Sequence, residues 1–262
     1  MSFVLQLPLC NQRYLHPNQR RGQLSEIGSS PVLAFGAHPD DIEFGCGGVL
    51  AVEARNGRNV HCVICSLGEA ASNGTPEGRR AESVAATEML GATVEFVTLD
   101  GDAKLEVRAE HSHKLAEIIR RVRPSTVLAT TCFENQHPDH WRLGKIVRDA
   151  ARIARYGGLK EIQGEPHAIG QLFYYAVTPE GEPSDVLPIL LDVSSADVVN
   201  SWIAAMGAHV SQGATRNYID LQLNRARVWG ARAGVDYAMA LYPNDPLMFE
   251  SLAHAGKGAR NF

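Results

Sequence analysis

The apolar run Val32-Leu33-Ala34-Phe35-Gly36-Ala37 breaks off at His38-Pro39-Asp40-Asp41-Ile42-Glu43, and glycines crowd the positions that follow, at Gly45, Gly47 and Gly48. A short continuous apolar run bounded by turn signals reads as a strand buried on both faces, which belongs in a parallel sheet covered by helices. In open α/β sheets, ligands sit at the carboxyl ends of such strands. Several ionisable groups at that point are costly to bury alone, and a divalent cation is their natural partner. A mixed set of His and carboxylate suits zinc, or another first-row metal such as Fe²⁺, better than Ca²⁺ or Mg²⁺. The glycines lack the G-x-G-x-x-G spacing of a dinucleotide site, and the carboxylates before them would repel a pyrophosphate. They read instead as a sharp turn that lets the next helix pack close.

A second cluster supplies what the first lacks. Ser125-Thr126-Val127-Leu128-Ala129-Thr130-Thr131 is another β-branched strand, and a brief loop then delivers His137-Pro138-Asp139-His140. Catalytic zinc typically keeps three protein ligands and leaves a fourth position for water, whereas a structural site is closed by four, often with cysteines. One His and one Asp from the first strand end, with one His from the second, make up that count. Asp40 and Asp41 are adjacent, so their side chains leave the backbone in different directions. One should bind metal while the other faces the attacking water as general base, and spacing does not say which.

Between and beyond these clusters the pattern alternates. Strands are predicted at 32–37, 59–66, 94–99, 125–131, 171–177 and 187–193, and helices at 47–56, 76–90, 113–122 and 141–156. Two further helices, 195–210 and 217–233, are expected to close the chain. The fold class is therefore α/β, a Rossmann-like, mostly parallel sheet with helices on both faces. No repeat or linker divides residues 31–262, which read as a single domain, and residues 1–30 read as an irregular arm.

Composition narrows the function. A net charge of −4 over 262 residues, with no basic stripe, argues against a nucleic-acid partner. Arg120, Arg121 and Arg123 end a predicted helix, where cations favour the dipole. No apolar run approaches the ~20 residues of a membrane span, and Phe3 to Cys10 makes a poor signal peptide. Five cysteines, an odd number, suggest reduced thiols and a cytoplasmic location. Cys62 and Cys65 stand three apart in a predicted strand, so their sulfurs should face opposite sides.

His38-Pro39-Asp40-Asp41 with a distal His137-Pro138-Asp139-His140 resembles the PIG-L/LmbE-like zinc N-deacetylases, over most of the chain from about Val32 to about Leu252. The branch that makes bacillithiol looks most similar, through 68–75 and Leu172-Phe173-Tyr174-Tyr175. The resemblance implies that His38, Asp41 and His140 hold the metal and that Asp40 is the general base. It implies a protonated His137 that stabilises the oxyanion, with Asp139 pairing to it and raising its pKa. It also implies an N-acyl amino sugar as substrate, a homo-oligomer (often a hexamer), and a substrate contact from Arg79, which follows 68–75. Many relatives carry Arg where this chain has Gln136, which alters how an anionic aglycone is held. Of the remaining histidines, His209 lies in a C-terminal helix able to approach the site. The other readings are an amidase for a different acyl or thiol-conjugate amide, and a non-catalytic ligand-binding member of the fold. The presence of both Asp40 and His137 argues against the last, since binding alone needs neither base nor acid.

Overall fold

Five short apolar runs pair in parallel to build most of one sheet: β1 (Val32–Gly36), β2 (Val60–Ile64), β3 (Thr93–Phe96), β4 (Thr126–Thr130) and β5 (Gln171–Tyr175). In the computed structural model, which describes residues 30–213 and 217–259, two more strands extend it. These are β6 (Ile189–Asp192) and β7 (Ala238–Pro243), and the order across the sheet is β3-β2-β1-β4-β5-β7-β6. Strand β7 runs antiparallel to both of its neighbours. The expected arm at residues 1–30 lies outside the described residues, apart from Ser30. Among the described residues no helix is long and apolar enough to cross a membrane.

Helices cover both faces, and the strand period of two sorts the core between them. On one face Val32, Ala34 and Cys62 meet Ile42 and Leu50 of α1 (Asp41–Arg55), Ala86 of α2 (Pro76–Met89), Trp202 of α5 (Ala196–Gly207) and Ala226 of α7 (Tyr218–Ala233). On the other, Leu33, Phe35, Val63 and Cys65 meet Leu115 and Ile119 of α3 (Ala109–Val122) and Leu143 and Ile146 of α4 (Pro138–Ile153). Cys62 and Cys65 thus fall in opposite halves of the core, as their spacing requires. Between α5 and α7 lies the short α6 (Val210–Gly213).

Local chemistry sets the helix ends. Thr75 caps α2 by accepting from the Gly78 amide at 3.1 Å, with Pro76 in the first turn. Asn217 does the same for α7 through the Asp220 amide at 3.1 Å, and Gly234 closes that helix at φ 73°. Two expectations need correction. Helix α1 begins at Asp41 rather than near residue 47, so the glycines make no turn. Each instead sits under a large side chain from elsewhere. A Cβ on Gly45 would lie 2.2 Å from the Tyr175 ring, on Gly47 2.8 Å from Trp202, and on Gly48 2.9 Å from the Met239 sulfur. The chain also does not finish on helices, because β7 follows α7 and fills the gap between β5 and β6.

Candidate active site

Strand order reverses between β1 and β4, whose neighbours lie on opposite sides, and in open α/β sheets ligands gather at the carboxyl ends of such strands. Residues 37–41 leave β1 there. Residues 131–140 leave β4 at the same edge, with His140 in the first turn of α4 rather than in a loop.

Asp41 organises the first turn. Its Oδ2 accepts from the backbone amides of Ala37 and His38, both at 2.9 Å, and its Oδ1 lies 3.0 Å from His140 Nε2. His38 Nδ1 stands 3.5 Å from Asp41 Oδ2. His38, Asp41 and His140 are thus buried together, at 8%, 2% and 7% exposure. Burial opposes ionisation of Asp41, but the facing His140 and His38 outweigh it and hold the carboxyl well below its ordinary range. Burial likewise opposes charging His38, and is outweighed by Asp41, Asp102 and Asp139, which push its pKa up.

The far nitrogen of His38 meets two carboxylates. Nε2 lies 3.2 Å from Asp139 Oδ2 and 3.1 Å from Asp102 Oδ1. An acceptor on Nε2 fixes the proton there and leaves Nδ1, on the Asp41 side, free to ligate. Asp139 Oδ2 also accepts from the Ala103 amide at 2.7 Å. Both contacts use Oδ2, and Oδ1 has no hydrogen-bond partner among the described residues, so the expected pairing of this carboxylate with the His137 ring is not made as a hydrogen bond. His137 Nδ1 instead accepts the backbone N–H of Asp139 at 3.3 Å. Asp139 pulls the His137 pKa up as expected, but burial and then the neighbouring His38 and His140 outweigh that pull and move it down. A neutral ring that accepts at Nδ1 carries its proton on Nε2.

Asp40 occupies the N-cap of α1 at φ 105°, a left-handed conformation in a non-glycine residue. Burial, then the charge of Asp41, push its carboxyl up to about 7, against the opposing pull of His209, Arg79 and His38. Arg79 is the partner that touches it. The guanidinium is only 4% exposed and donates to Pro39 O at 2.8 Å, Gly68 O at 3.2 Å and Asp40 Oδ2 at 3.3 Å. The expected substrate contact from Arg79 does not fit this inward orientation. Gln136 is also turned inward, its amide donating to Thr131 O at 2.8 Å and Phe133 O at 2.8 Å, so that it braces the loop before the second motif.

One site residue escaped the sequence reading. Asp102 follows β3, and its other oxygen accepts from the Ala70 amide at 3.1 Å, joining His38 to the loop after β2. The signal was the acidic stretch Asp100-Gly101-Asp102 at the end of a third parallel strand, on the edge where the rest of the site lies. As a donor set, His38, His137 and His140 offer nitrogens within 4.8 Å of one another, as do the donor atoms of His38, Asp102 and Asp139. His38 and His140 are buried while His137 is exposed, and imidazole with carboxylate in this mixture, with one histidine oriented from behind, fits a first-row divalent metal.

Comparison with known proteins gives these groups a context. The family described as PIG-L, GlcNAc-PI de-N-acetylase, matches residues 33–151, a span that contains both motifs. A 4-oxalmesaconate hydratase of Pseudomonas putida is 30% identical over 166 residues, 58% of this chain and 64% of that protein. The chain therefore spans less than two thirds of that relative's length. A 1D-myo-inositol 2-acetamido-2-deoxy-alpha-D-glucopyranoside deacetylase of Catenulispora acidiphila is 26% identical over 228 residues, 69% of this chain and 75% of that protein. Among solved structures, a conserved protein of Thermus thermophilus superposes with a TM-score of 0.75 at 30% identity, covering 84% of this chain and 97% of its own.

Proposed function

We propose, because this chain belongs to the PIG-L family of GlcNAc-PI de-N-acetylases, that it is a metal-dependent hydrolase removing the N-acetyl group from an N-acetylglucosaminyl small molecule. The observation that carries the reading is the meeting of residues 38–41 with residues 137–140, where Asp41 touches His140 at 3.0 Å beside Asp40. His38, Asp41 and His140 are the residues that would hold zinc, with Fe²⁺ as the other candidate of the same donor preference. Bound there, the metal supplies an activated water and polarises the scissile carbonyl.

The protein groups divide the remaining work. Asp40 takes a proton from the attacking water and delivers it to the amine nitrogen as the C–N bond breaks, so the proton count closes on one carboxylate. His137 donates from Nε2–H to the oxyanion as a neutral imidazole, a role its Nδ1 contact with the Asp139 amide supports. Asp139 and Asp102 hold the ring of His38, and Arg79 holds Asp40.

A second reading has its own support, since the relative at 30% identity is named a hydratase. Base, acid and a polarised carbonyl equally suit the addition of water to a double bond conjugated to a carboxylate. Metal analysis of purified protein, coupled to two assays, separates them. Amine release from N-acetylated amino sugars is the expected result. Loss of the double-bond absorbance of an unsaturated dicarboxylate, with no amine released, overturns the deacetylase reading in favour of the hydratase.

A further inference from the structure

His209 is buried completely at the junction of α5 and α6, and its Nε2 faces Glu43 Oε2 at 3.3 Å, both side chains being 0% exposed. Neither carboxylate oxygen of Glu43 and neither ring nitrogen of His209 has a hydrogen-bond partner among the described residues, so the two groups meet as a close ion pair alone. An isolated buried pair of ionisable groups is no gain over apolar packing of the same volume, so packing alone does not account for it.

What the pair does is joined to its surroundings. Glu43 stands in the first turn of α1, two residues beyond Asp41, and its carbonyl accepts from Trp202 Nε1 at 2.7 Å. Two residues after His209, Ser211 donates from its amide at 2.9 Å and its hydroxyl at 2.7 Å to the carboxylate of Glu82. Glu82 lies in α2 three residues beyond Arg79, the residue whose guanidinium reaches Pro39 and Asp40. The next residue, Gln212, donates to Asn73 O at 3.4 Å. One short segment therefore grips the two helices that between them fix Asp40, α1 through its cap and α2 through Arg79.

We propose that His209, together with Ser211, is a positioning residue for Asp40, tying the first turn of α1 to α2 so that the base keeps its alignment. The proposal rests on the reading of Asp40 as general base. It differs from a packing role in what it predicts. Misalignment of a reacting group by about 1 Å lowers turnover by about 10²-fold, while the metal ligands are left where they are.

The test uses the full-length, zinc-loaded protein and its variants His209→Ala, His209→Gln and Ser211→Ala. Zinc affinity is measured by chelator competition, amine release on N-acetylglucosamine, and backbone amide exchange by mass spectrometry. For His209→Ala the expected result is a kcat lowered by about 10²-fold with KM held, and zinc affinity also held. His209→Gln, which restores a donor, should recover to within about tenfold of the parent, and Ser211→Ala should move in the same direction by less. An unchanged kcat, or a loss of zinc affinity as large as the loss of kcat, overturns the proposal. If His209→Ala does not fold, the other two variants decide. Should the parent bind zinc yet release no amine, the deacetylase reading fails by itself and exchange decides the positioning. The Phe44 amide, bonded to Asp40 O at 3.0 Å, should then exchange about tenfold faster in His209→Ala, and unchanged protection refutes the tie.

Discussion

Asp40 carries its carboxylate on a backbone that a side chain disfavours. At φ 105° the conformation costs of order 1–3 kcal/mol, and it persists because Arg79, Pro39 and Phe44 over-determine it. Asp40→Ala should therefore keep metal and lose roughly 10²–10⁴-fold in turnover. His140→Ala should weaken metal binding first, which chelator competition reads directly. Asp40→Gly should be as inactive as Asp40→Ala yet melt higher than it, because glycine relieves the strain. Equal melting points would mean that the backbone there is unstrained. Arg79→Ala tests the inward orientation of the guanidinium. It should lower kcat to the same extent on N-acetylglucosamine and on a conjugate with an anionic aglycone, whereas a selective loss on the conjugate would restore the substrate contact.

At the scale of elements, the same geometry explains what the sequence could and could not disclose. The strands that carry the two motifs were legible because each is a buried apolar run ending in ionisable groups, a pattern with few other uses. The start of α1 was not, since Gly45, Gly47 and Gly48 look like a turn unless one knows that Tyr175, Trp202 and Met239 descend on them. Those residues are distant in sequence, and no local propensity encodes their approach. Strand β7 was hidden for a related reason: Ala238–Pro243 is a short buried run without alternation, and its identity as a strand depends on the gap between β5 and β6. Arg79 and Asp139 have partners other than those expected, because sequence order does not show which acceptor a long or pivoting side chain reaches. Gly144 supplies a test at this scale. A Cβ there would lie 2.3 Å from Thr130 O, so α4 must move off β4, at a cost of about 1–3 kcal/mol. His140 sits one turn earlier on the same helix, and its carbonyl accepts from the Thr130 hydroxyl at 2.6 Å. Gly144→Ala should therefore lose stability and zinc affinity together. A stable variant with full affinity would show that the helix has slack.

In the whole molecule, the site joins otherwise separate parts, since its groups come from the ends of β1 and β4 and from the loop after β3. A ligand bound at such a junction stabilises the fold by mass action, by about 4 kcal/mol at a thousandfold excess over its Kd. For a chain of this size that is a melting shift on the order of ten degrees. Chelation should lower the melting point of the parent accordingly and leave His140→Ala unmoved. The far half of the sheet is built on another plan. Strand β6 is paired with β7, which also closes the outer edge of β5. Because a ribosome makes the chain in order, both motifs and the strands beneath them can assemble while β6 still waits, unpaired and apolar, for the last strand to emerge. A chain broken off before Ala238 thus keeps its chemistry nearly whole but exposes two open strand edges, and its fate is set by aggregation rather than by catalysis.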